Sequence, residues 1–184
     1  MAVVKNPFIL QIVGYQNSGK TTSILKIIER LTAESIHVVT IKHHAHGSGK
    51  PHVVKKDSTR HVDAGAIASL IEGNGRLLFQ ADKEQWTLAE QIELCCFLKP
   101  KLILIEGHKK ANFPKIVLLR DRQDFHLLEQ LTNIFAILVW EDTPEKSGDI
   151  LLFSIKEDNW LDWAIQMIKN RIHLKKNFKI LTHS

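Results

Sequence analysis

The segment from Gly14 to Thr21, Gly-Tyr-Gln-Asn-Ser-Gly-Lys-Thr, constrains the fold more than any other part of this chain. It matches the phosphate-binding loop pattern G-x-x-x-x-G-K-[ST], which joins a buried strand to a helix. An apolar run, Phe8 to Val13, precedes the loop. The apolar residues that follow it have helical spacing and are Ile24, Leu25, Ile28 and Leu31. A glycine-rich turn that binds nothing is the alternative, and these flanks argue against it.

Strand-like and helix-like stretches alternate after this loop. Such alternation is typical of an α/β fold, here a single P-loop NTPase-like domain with a mostly parallel sheet and helices on both faces. We predict further strands at 37–42, 76–80, 102–105, 115–120, 134–140 and 150–155, and helices at about 57–72, 87–98, 125–131 and 160–172. A long polar loop with glycine and proline breakers is expected at about 45–56. The length of 184 residues fits one domain covering 1–184.

The charge distribution argues against a nucleic-acid surface. The formal net charge is +5, and a basic tail at about 169–184 holds five cations and no anion, so the other residues balance. No helix-turn-helix, zinc finger or aromatic RNA-binding signature accompanies the tail, and we expect no nucleic-acid partner.

The cysteines and the hydropathy pattern bear on compartment. Cys95 and Cys96 are adjacent in an apolar run, where geometry disfavours a disulfide between them. This arrangement favours a reducing compartment. No apolar stretch reaches the length that crosses a bilayer. We therefore expect a cytoplasmic protein that does not contact membranes.

The phosphate loop predicts how a nucleoside triphosphate would bind. Backbone N–H groups and the positive end of the following helix face the phosphates. Lys20 supplies a cation at the β- and γ-phosphates, and the Thr21 hydroxyl is placed to ligate Mg²⁺. The predicted nucleotide-binding residues are Gly14, Tyr15, Gln16, Asn17, Ser18, Gly19, Lys20, Thr21 and Thr22. The residues alone do not distinguish GTP from ATP: the stretch after the strand at 134–140 lacks the Asn-Lys-x-Asp pattern that reads guanine, although Asp142 could take that part.

The aliphatic run Leu102 to Ile105 delivers an acid, Glu106, to the end of a buried strand. In a protein with a phosphate loop, such an acid lies beside the magnesium ion, directly or through a bound water, or orients the attacking water. We predict Lys20 and Glu106 as catalytic residues, and Thr21, Glu106 and Asp57 as the residues around Mg²⁺. Asp57 and Ser58 are candidates for the magnesium site because, in proteins with a phosphate loop, the loop after the second strand often reaches over the γ-phosphate.

Half of the ten histidines lie between Lys42 and Ala66. His43, His44 and His46 are spaced closely enough to hold zinc, but no cysteine is near, and solvated imidazoles are the alternative. The same basic loop, together with Lys109, Lys110 and Lys115, could meet a phosphate on a second ligand or partner.

Several segments together resemble the molybdopterin-guanine dinucleotide biosynthesis protein B (MobB-type) family over about residues 8–140. They are the phosphate loop, Lys42-His43-His44, Asp57-Ser58, Ala64-Gly65-Ala66, Glu106-Gly107-His108-Lys109 and the stretch from Pro114-Lys115 to Arg120. The family's nucleotide and magnesium roles would fall on Gly14 to Thr22 and Glu106. Two departures from the family pattern, Lys55 and His108, lie on the proposed ligand face.

The resemblance implies a GTP-binding adapter protein with at most a slow Mg²⁺-dependent GTPase activity. It also implies a homodimer that serves the molybdopterin guanylyltransferase, the enzyme that attaches guanine nucleotide to molybdopterin. Two alternatives stay open from the residues. The first is a small-molecule kinase whose basic loop, Lys50 to Arg60, grips an acceptor, and the second is a binding module that never turns its nucleotide over.

Overall fold

A computed structural model of the protein describes residues 6–43, 57–142, 144 and 148–177. The strands are β1 (Phe8–Gly14), β2 (Val38–Lys42), β3 (Ala68–Gly73), β4 (Arg76–Ala81), β5 (Leu102–Glu106), β6 (Lys115–Leu119), β7 (Ile134–Val139) and β8 (Leu151–Ser154). The helices are α1 (Lys20–Ala33), α2 (Asp57–Asp63), α3 (Leu88–Cys96), α4 (Leu127–Gln130) and α5 (Asn159–Asn177), with a 3₁₀ turn at Arg122–Asp124. The chain divides into two compact units, residues 1–43 with 92–184 and residues 44–91.

The larger unit is built on a six-stranded sheet of order β2-β5-β1-β6-β7-β8. Every neighbouring pair in it is parallel. Parallel strands covered on both faces bury nearly all of their side chains, which explains continuous aliphatic runs such as Leu102 to Ile105. Because all six strands run the same way, their carboxyl ends meet at one edge of the sheet. That edge carries the phosphate loop after β1 and Glu106 at the end of β5.

Helices cover both faces of this sheet. On one face, α1 and α5 pack against the central strands through apolar side chains such as Ile27 and Trp160. On the other face, a smaller cluster joins β1, β6 and β7 to Leu127 and Leu131 at α4. The predicted α/β fold with a parallel sheet between helices is confirmed.

The predicted strands of the large sheet and the last helix are placed within a few residues of their observed bounds. The predicted helix at 57–72 is wrong, because α2 ends at Asp63 and β3 begins at Ala68. Gly65 adopts a left-handed φ of 109°. The N–H groups of Gly65 and Ala66 turn back to the carbonyls of Val62 and His61, a glycine-dependent way to end a helix.

The smaller unit contains an antiparallel hairpin of β3 and β4. β3 lies where the second half of that helix was expected, and β4 matches the strand predicted at 76–80. Gly73 pairs with Arg76, so the turn consists of Asn74 and Gly75 alone, both with positive φ (51° and 76°). A two-residue Asn-Gly turn matches the twist of the flanking strands. The chain therefore reverses here.

Three expectations are not decided by this fold. The loop at 45–56 and the end of the basic tail, residues 178–184, lie outside the described residues. The single domain covering 1–184 stays a prediction beside the two compact units.

Cys95 and Cys96 are both free thiols in α3, as expected from their adjacency. Among the described helices, none combines the length and the apolar character needed to cross a bilayer.

We predict that Leu104→Ala lowers the free energy of unfolding by about 2–5 kcal/mol, since this fully buried side chain in β5 leaves a cavity between packed layers. Urea denaturation followed by circular dichroism measures the change. Leu25→Ala is the matched control, because Leu25 lies on α1 with 53% of its surface exposed. A loss for Leu104→Ala no larger than for Leu25→Ala would contradict this packing.

Candidate nucleotide-binding site

The loop between β1 and α1 forms a tight turn at the carboxyl edge of the sheet. Asn17 and Gly19 adopt left-handed φ values of 60° and 96°, and Gly19 precedes the first residue of α1. The first N–H groups of a helix have no acceptor inside the helix. Those of Lys20, Thr21 and Thr22 are thus available to an anion, and the helix dipole favours negative charge there.

Two glycines of the motif are required by close packing. A Cβ on Gly14 would lie 2.5 Å from Ser18 Oγ and 2.7 Å from the Leu118 carbonyl oxygen. A Cβ on Gly19 would lie 3.0 Å from Ile155 Cδ1, in a backbone conformation that side chains rarely adopt. The phosphate loop therefore packs directly against the carboxyl end of β6 and against Ile155, the residue that follows β8.

Lys20 folds back over the loop, and its Nζ donates a hydrogen bond to the Tyr15 carbonyl. Burial lowers the pKa of Lys20, and the nearby ammonium groups of Lys109 and Lys42 lower it further, against the attraction of Glu106. The side chain thus places a cation above the turn, in surroundings that already contain other positive charges.

Thr21, Glu106 and Lys42 form a cluster beside this turn. The Thr21 hydroxyl lies 3.2 Å from both carboxylate oxygens of Glu106. The Lys42 Nζ lies 3.1 Å from Glu106 Oε1 and 3.4 Å from the Thr21 hydroxyl. Lys42 and Glu106 are register partners at the ends of β2 and β5. The sheet thus places a positive charge next to the two groups expected around the metal.

The same cluster offers the donors that Mg²⁺ prefers. A threonine hydroxyl and a carboxylate are hard oxygen ligands, and protein sites for Mg²⁺ use one or two carboxylates together with phosphate oxygens and water. Here both oxygen groups already lie within reach of one cation, the Lys42 ammonium. Thr21 and Glu106 therefore fit a magnesium ion, which would compete with Lys42 for Glu106.

A loop after β5 reaches back to the phosphate loop. The Lys109 Nζ lies 3.6 Å from the centre of the Tyr15 ring, a cation–π distance. The Tyr15 hydroxyl is hydrogen-bonded to His126 Nε2 at 2.7 Å. Tyr15 is therefore contacted both on its ring and at its hydroxyl.

Two buried polar side chains anchor this loop. The amide of Gln11 in β1 donates to the carbonyls of Gly107 and His108 and accepts from the Phe113 N–H. Lys115, whose side chain is fully buried, donates to the carbonyls of Ala111 and Phe113. Burial lowers the pKa of Lys115. Lys115 is thus a structural anchor, and the expectation that it could meet an external phosphate is wrong.

The other side of the phosphate loop is anchored by a tryptophan. The Trp140 Nε1 donates to the Ser18 carbonyl at 2.9 Å, from the end of β7. Asp142, the candidate reader of a guanine base, is paired with Arg122 at 3.3 Å. Any base contact by Asp142 would compete with that ion pair.

The histidine segment is described only in part. The rings of His43 and His108 lie 4.5 Å apart between centres, and burial together with His43 lowers the pKa of His108. His44 and His46 lie outside the described residues. Within the described residues, no group of three or more His, Cys, Asp or Glu side chains could hold a metal ion. Both alternatives for His43, His44 and His46, solvated imidazoles and a zinc site, therefore stay open.

Asp57 is the first residue of α2, in the smaller unit. Its side chain is outside what the structure describes, so its place around Mg²⁺ also stays a prediction.

Sequence reasoning missed the site roles of Lys42, Gln11 and Trp140. Each of these side chains contacts a residue that is far away in the sequence, so local patterns do not reveal its role. The sequence indicated only that Lys42 and Trp140 lie at the ends of strands.

Comparisons with known proteins identify relatives over most of the chain. The family model described as "Molybdopterin guanine dinucleotide synthesis protein B" (MobB) matches residues 9–140. The chain is 44% identical over 173 residues to the "Probable molybdopterin-guanine dinucleotide biosynthesis adapter protein" of Bacillus subtilis strain 168, covering 92% of this chain and 98% of that protein.

Solved structures agree with this match. The crystal structure of Bacillus subtilis MobB superposes with a TM-score of 0.76 at 36% identity, covering 86% of this chain and 96% of that one. The structure of a MobB homologue from Bacillus stearothermophilus gives a TM-score of 0.73 at 30% identity, over 88% of this chain and 98% of that one. The family resemblance predicted from the sequence is confirmed.

We predict that Gly19→Ala costs about 2–4 kcal/mol of unfolding free energy, because it adds strain at a left-handed φ and a close contact with Ile155. Thermal unfolding monitored by calorimetry provides the measurement. Gly75→Ala is the control: its φ of 76° is also left-handed, but no atom lies within 4 Å of the added Cβ. Equal losses in the two variants would show that the phosphate loop does not pack as described.

Proposed function

Because this chain belongs to the molybdopterin guanine dinucleotide synthesis protein B family, we propose that it is a GTP-binding adapter protein of molybdenum cofactor biosynthesis. It binds Mg·GTP through Gly14 to Thr22 and supports the attachment of guanine nucleotide to molybdopterin. The observation that carries the nucleotide part is the position of Lys20 and the Thr21–Glu106 pair around the α1 N-terminus.

The names of the relatives support the biological role. Proteins from Bacillus subtilis, Haemophilus influenzae and Escherichia coli that match this chain are each named as molybdopterin-guanine dinucleotide biosynthesis adapter proteins, the first as a probable one. An adapter acts through a partner, and the partners we propose are the molybdopterin guanylyltransferase and molybdopterin itself.

The cytoplasm is the proposed compartment, since the free cysteines suit a reducing environment. The preference for GTP over ATP comes from the family.

The proposed nucleotide contacts follow from the loop geometry. The N–H groups at the start of α1 bind phosphate oxygens, and Lys20 leaves the Tyr15 carbonyl to meet the β- and γ-phosphates. Thr21 and Glu106 would hold the magnesium ion, and Lys42 would then have to give up its contact with Glu106. When bound, Mg²⁺ neutralises charge that develops on the phosphates.

Any hydrolysis by this site is proposed to be slow. Lys20 offsets negative charge on the γ-phosphate, and Glu106 either holds the metal or orients the attacking water. The side chains that contact the loop or the Thr21–Glu106 pair include three lysines, Lys20, Lys42 and Lys109. A lysine ammonium is a point charge and lacks the planar fork of donors with which an arginine finger binds phosphate. The site is thus better suited to holding the nucleotide than to cleaving it quickly.

Two alternatives are separable from this proposal by the fate of a labelled γ-phosphate. A small-molecule kinase transfers the label to an acceptor, whereas an adapter with weak GTPase activity releases it as inorganic phosphate. A pure binding module leaves the bound nucleotide intact during long incubation with Mg²⁺ and the partner enzyme.

A homodimer is also part of the proposal, supported by the β3–β4 hairpin. Both faces of this hairpin expose apolar side chains, namely Leu70, Leu77 and Phe79 on one face and Ile71 and Leu78 on the other. A two-stranded hairpin needs packing against other elements to be stable in water. Here α2 packs against it, and these apolar side chains are still exposed. Exposed apolar surface of this kind is typical of an interface between protein chains. A second copy of this chain is the partner we infer.

We predict that Lys20→Ala weakens GTP binding by about 10- to 100-fold, because one charge-assisted contact to the phosphates is lost. Isothermal titration calorimetry with Mg·GTP and Mg·ATP measures both affinity and base preference. Lys26→Ala is the control, since Lys26 lies on the same helix and pairs with Asp158 at the surface. Unchanged GTP binding by a folded Lys20→Ala variant, or no binding by the unaltered protein, would refute the proposed function.

We predict that the protein has twice the mass of a single chain in solution and that Phe79→Glu shifts it toward the monomer. A charge placed at this apolar position would have to be desolvated in the interface. Size-exclusion chromatography with light scattering reports the mass. Leu25→Glu introduces the same charge at an exposed residue of α1 and should stay dimeric. A monomeric native protein, or a dimeric Phe79→Glu variant, would exclude the hairpin as the interface.

A further inference from the structure

Within the part of the chain that the structure describes, three ammonium groups lie around the phosphate loop, and their contacts differ. Lys20 is bonded to the Tyr15 carbonyl, and Lys42 is paired with Glu106. The Lys109 ammonium instead lies against the face of the Tyr15 ring. A cation–π contact is worth about 0.5–2 kcal/mol, and it does not neutralise the charge. Lys109 is thus the cation of the three whose contact is easiest to exchange for an anion.

Among the described residues, the charged groups around Lys109 compensate its positive charge only in part. Asp124 attracts it, but the Asp124 carboxylate is itself buried and accepts a hydrogen bond from the Arg120 N–H at 2.8 Å. Lys20 is close enough for the two ammonium groups to repel each other. An anion placed between Lys20 and Lys109 removes that repulsion and replaces lost solvation for both.

The position of Lys109 indicates which part of a nucleotide it would meet. Lys109 follows Glu106 by three residues, and its side chain covers the residue whose carbonyl binds Lys20. Thr21 and Glu106 would hold a metal ion that offsets charge on the terminal phosphates. Because Lys20 and Lys109 both contact Tyr15, a terminal phosphate that reaches Lys20 would also come near Lys109.

The backbone that carries Lys109 is held firmly, so its side chain alone needs to move. Gln11 bonds both carbonyls that precede Lys109, those of Gly107 and His108. Lys115 bonds the Ala111 and Phe113 carbonyls on the other side. The Tyr15 ring is oriented by His126. The Tyr15 ring thus holds the Lys109 ammonium group in the absence of an anion, while the backbone that carries Lys109 stays in place.

We propose that Lys109 is a second phosphate-binding cation of this site, which leaves the Tyr15 ring to contact the terminal phosphate of a bound nucleoside triphosphate. This inference rests on the proposed function. It assigns to Lys109 a part in the discrimination between triphosphate and diphosphate, in addition to the contacts of the loop N–H groups and Lys20.

The test compares Lys109→Ala with Lys110→Ala in the full-length protein. Lys110 is the neighbouring residue and is exposed, so the two variants lose the same charge from the same loop. Calorimetric titration with Mg·GTP and Mg·GDP gives the affinity ratio for each protein. We expect Lys109→Ala to bind GTP about tenfold more weakly with little change for GDP, while Lys110→Ala matches the unaltered protein. Lys109→Arg should retain most of the GTP preference.

The outcomes separate this inference from the proposed function. If the unaltered protein binds no GTP, both fail. If it binds GTP and Lys109→Ala shows the same GTP and GDP affinities as Lys110→Ala, the assignment of Lys109 alone is overturned. An equal loss for GTP and GDP would also overturn it, because the contact would not involve the terminal phosphate. In a crystal structure with a non-hydrolysable GTP analogue, the Lys109 Nζ should lie about 2.7–2.9 Å from a γ-phosphate oxygen; an ammonium still on the Tyr15 ring would contradict the proposal.

Discussion

The parallel pairing of β1 with β5 and of β5 with β2 is the constraint on which the candidate site depends. It sets Glu106 opposite Ile12 in β1 and opposite Lys42 in β2. Because side chains alternate between the faces of a sheet, a slip of one residue would turn Glu106 away from Thr21 and from Lys42. The buried Gln11 amide, which bonds the backbone directly after β5, supports this register. Strand pairing thus brings Glu106, its counter-ion Lys42 and the loop after β1 together.

The same edge of the sheet accumulates positive charge. Lys20, Lys42 and Lys109 converge on one turn, with Glu106 as the carboxylate in direct contact with one of them. Ammonium groups that repel each other in partly buried surroundings make the folded protein less stable than it would be with an anion bound. A polyanion bound at this site would therefore stabilise the fold.

Much of the large sheet was predictable because its signals are local. Leu102 to Ile105 is a continuous aliphatic run, and the phosphate loop has a fixed spacing of glycine, lysine and threonine. The error at 57–72 arose at glycines: Gly65 ends α2 with a left-handed φ, and the Asn74-Gly75 turn joins β3 to β4. Glycine can adopt the left-handed conformation that ends a helix or reverses a hairpin, so these residues decided the outcome.

The sequence by itself determined the fold class, the phosphate loop with Lys20 and Thr21, the acid at the end of β5 and the family. These depend on residue spacing within one element and the turn beside it. Only the tertiary structure decided that Lys42 neutralises Glu106, that Lys109 lies on Tyr15 and that Lys115 is buried inside its own loop. Such contacts depend on which strands are neighbours and on where a long side chain ends, and the strand order of a parallel sheet is not encoded in any one segment of the chain.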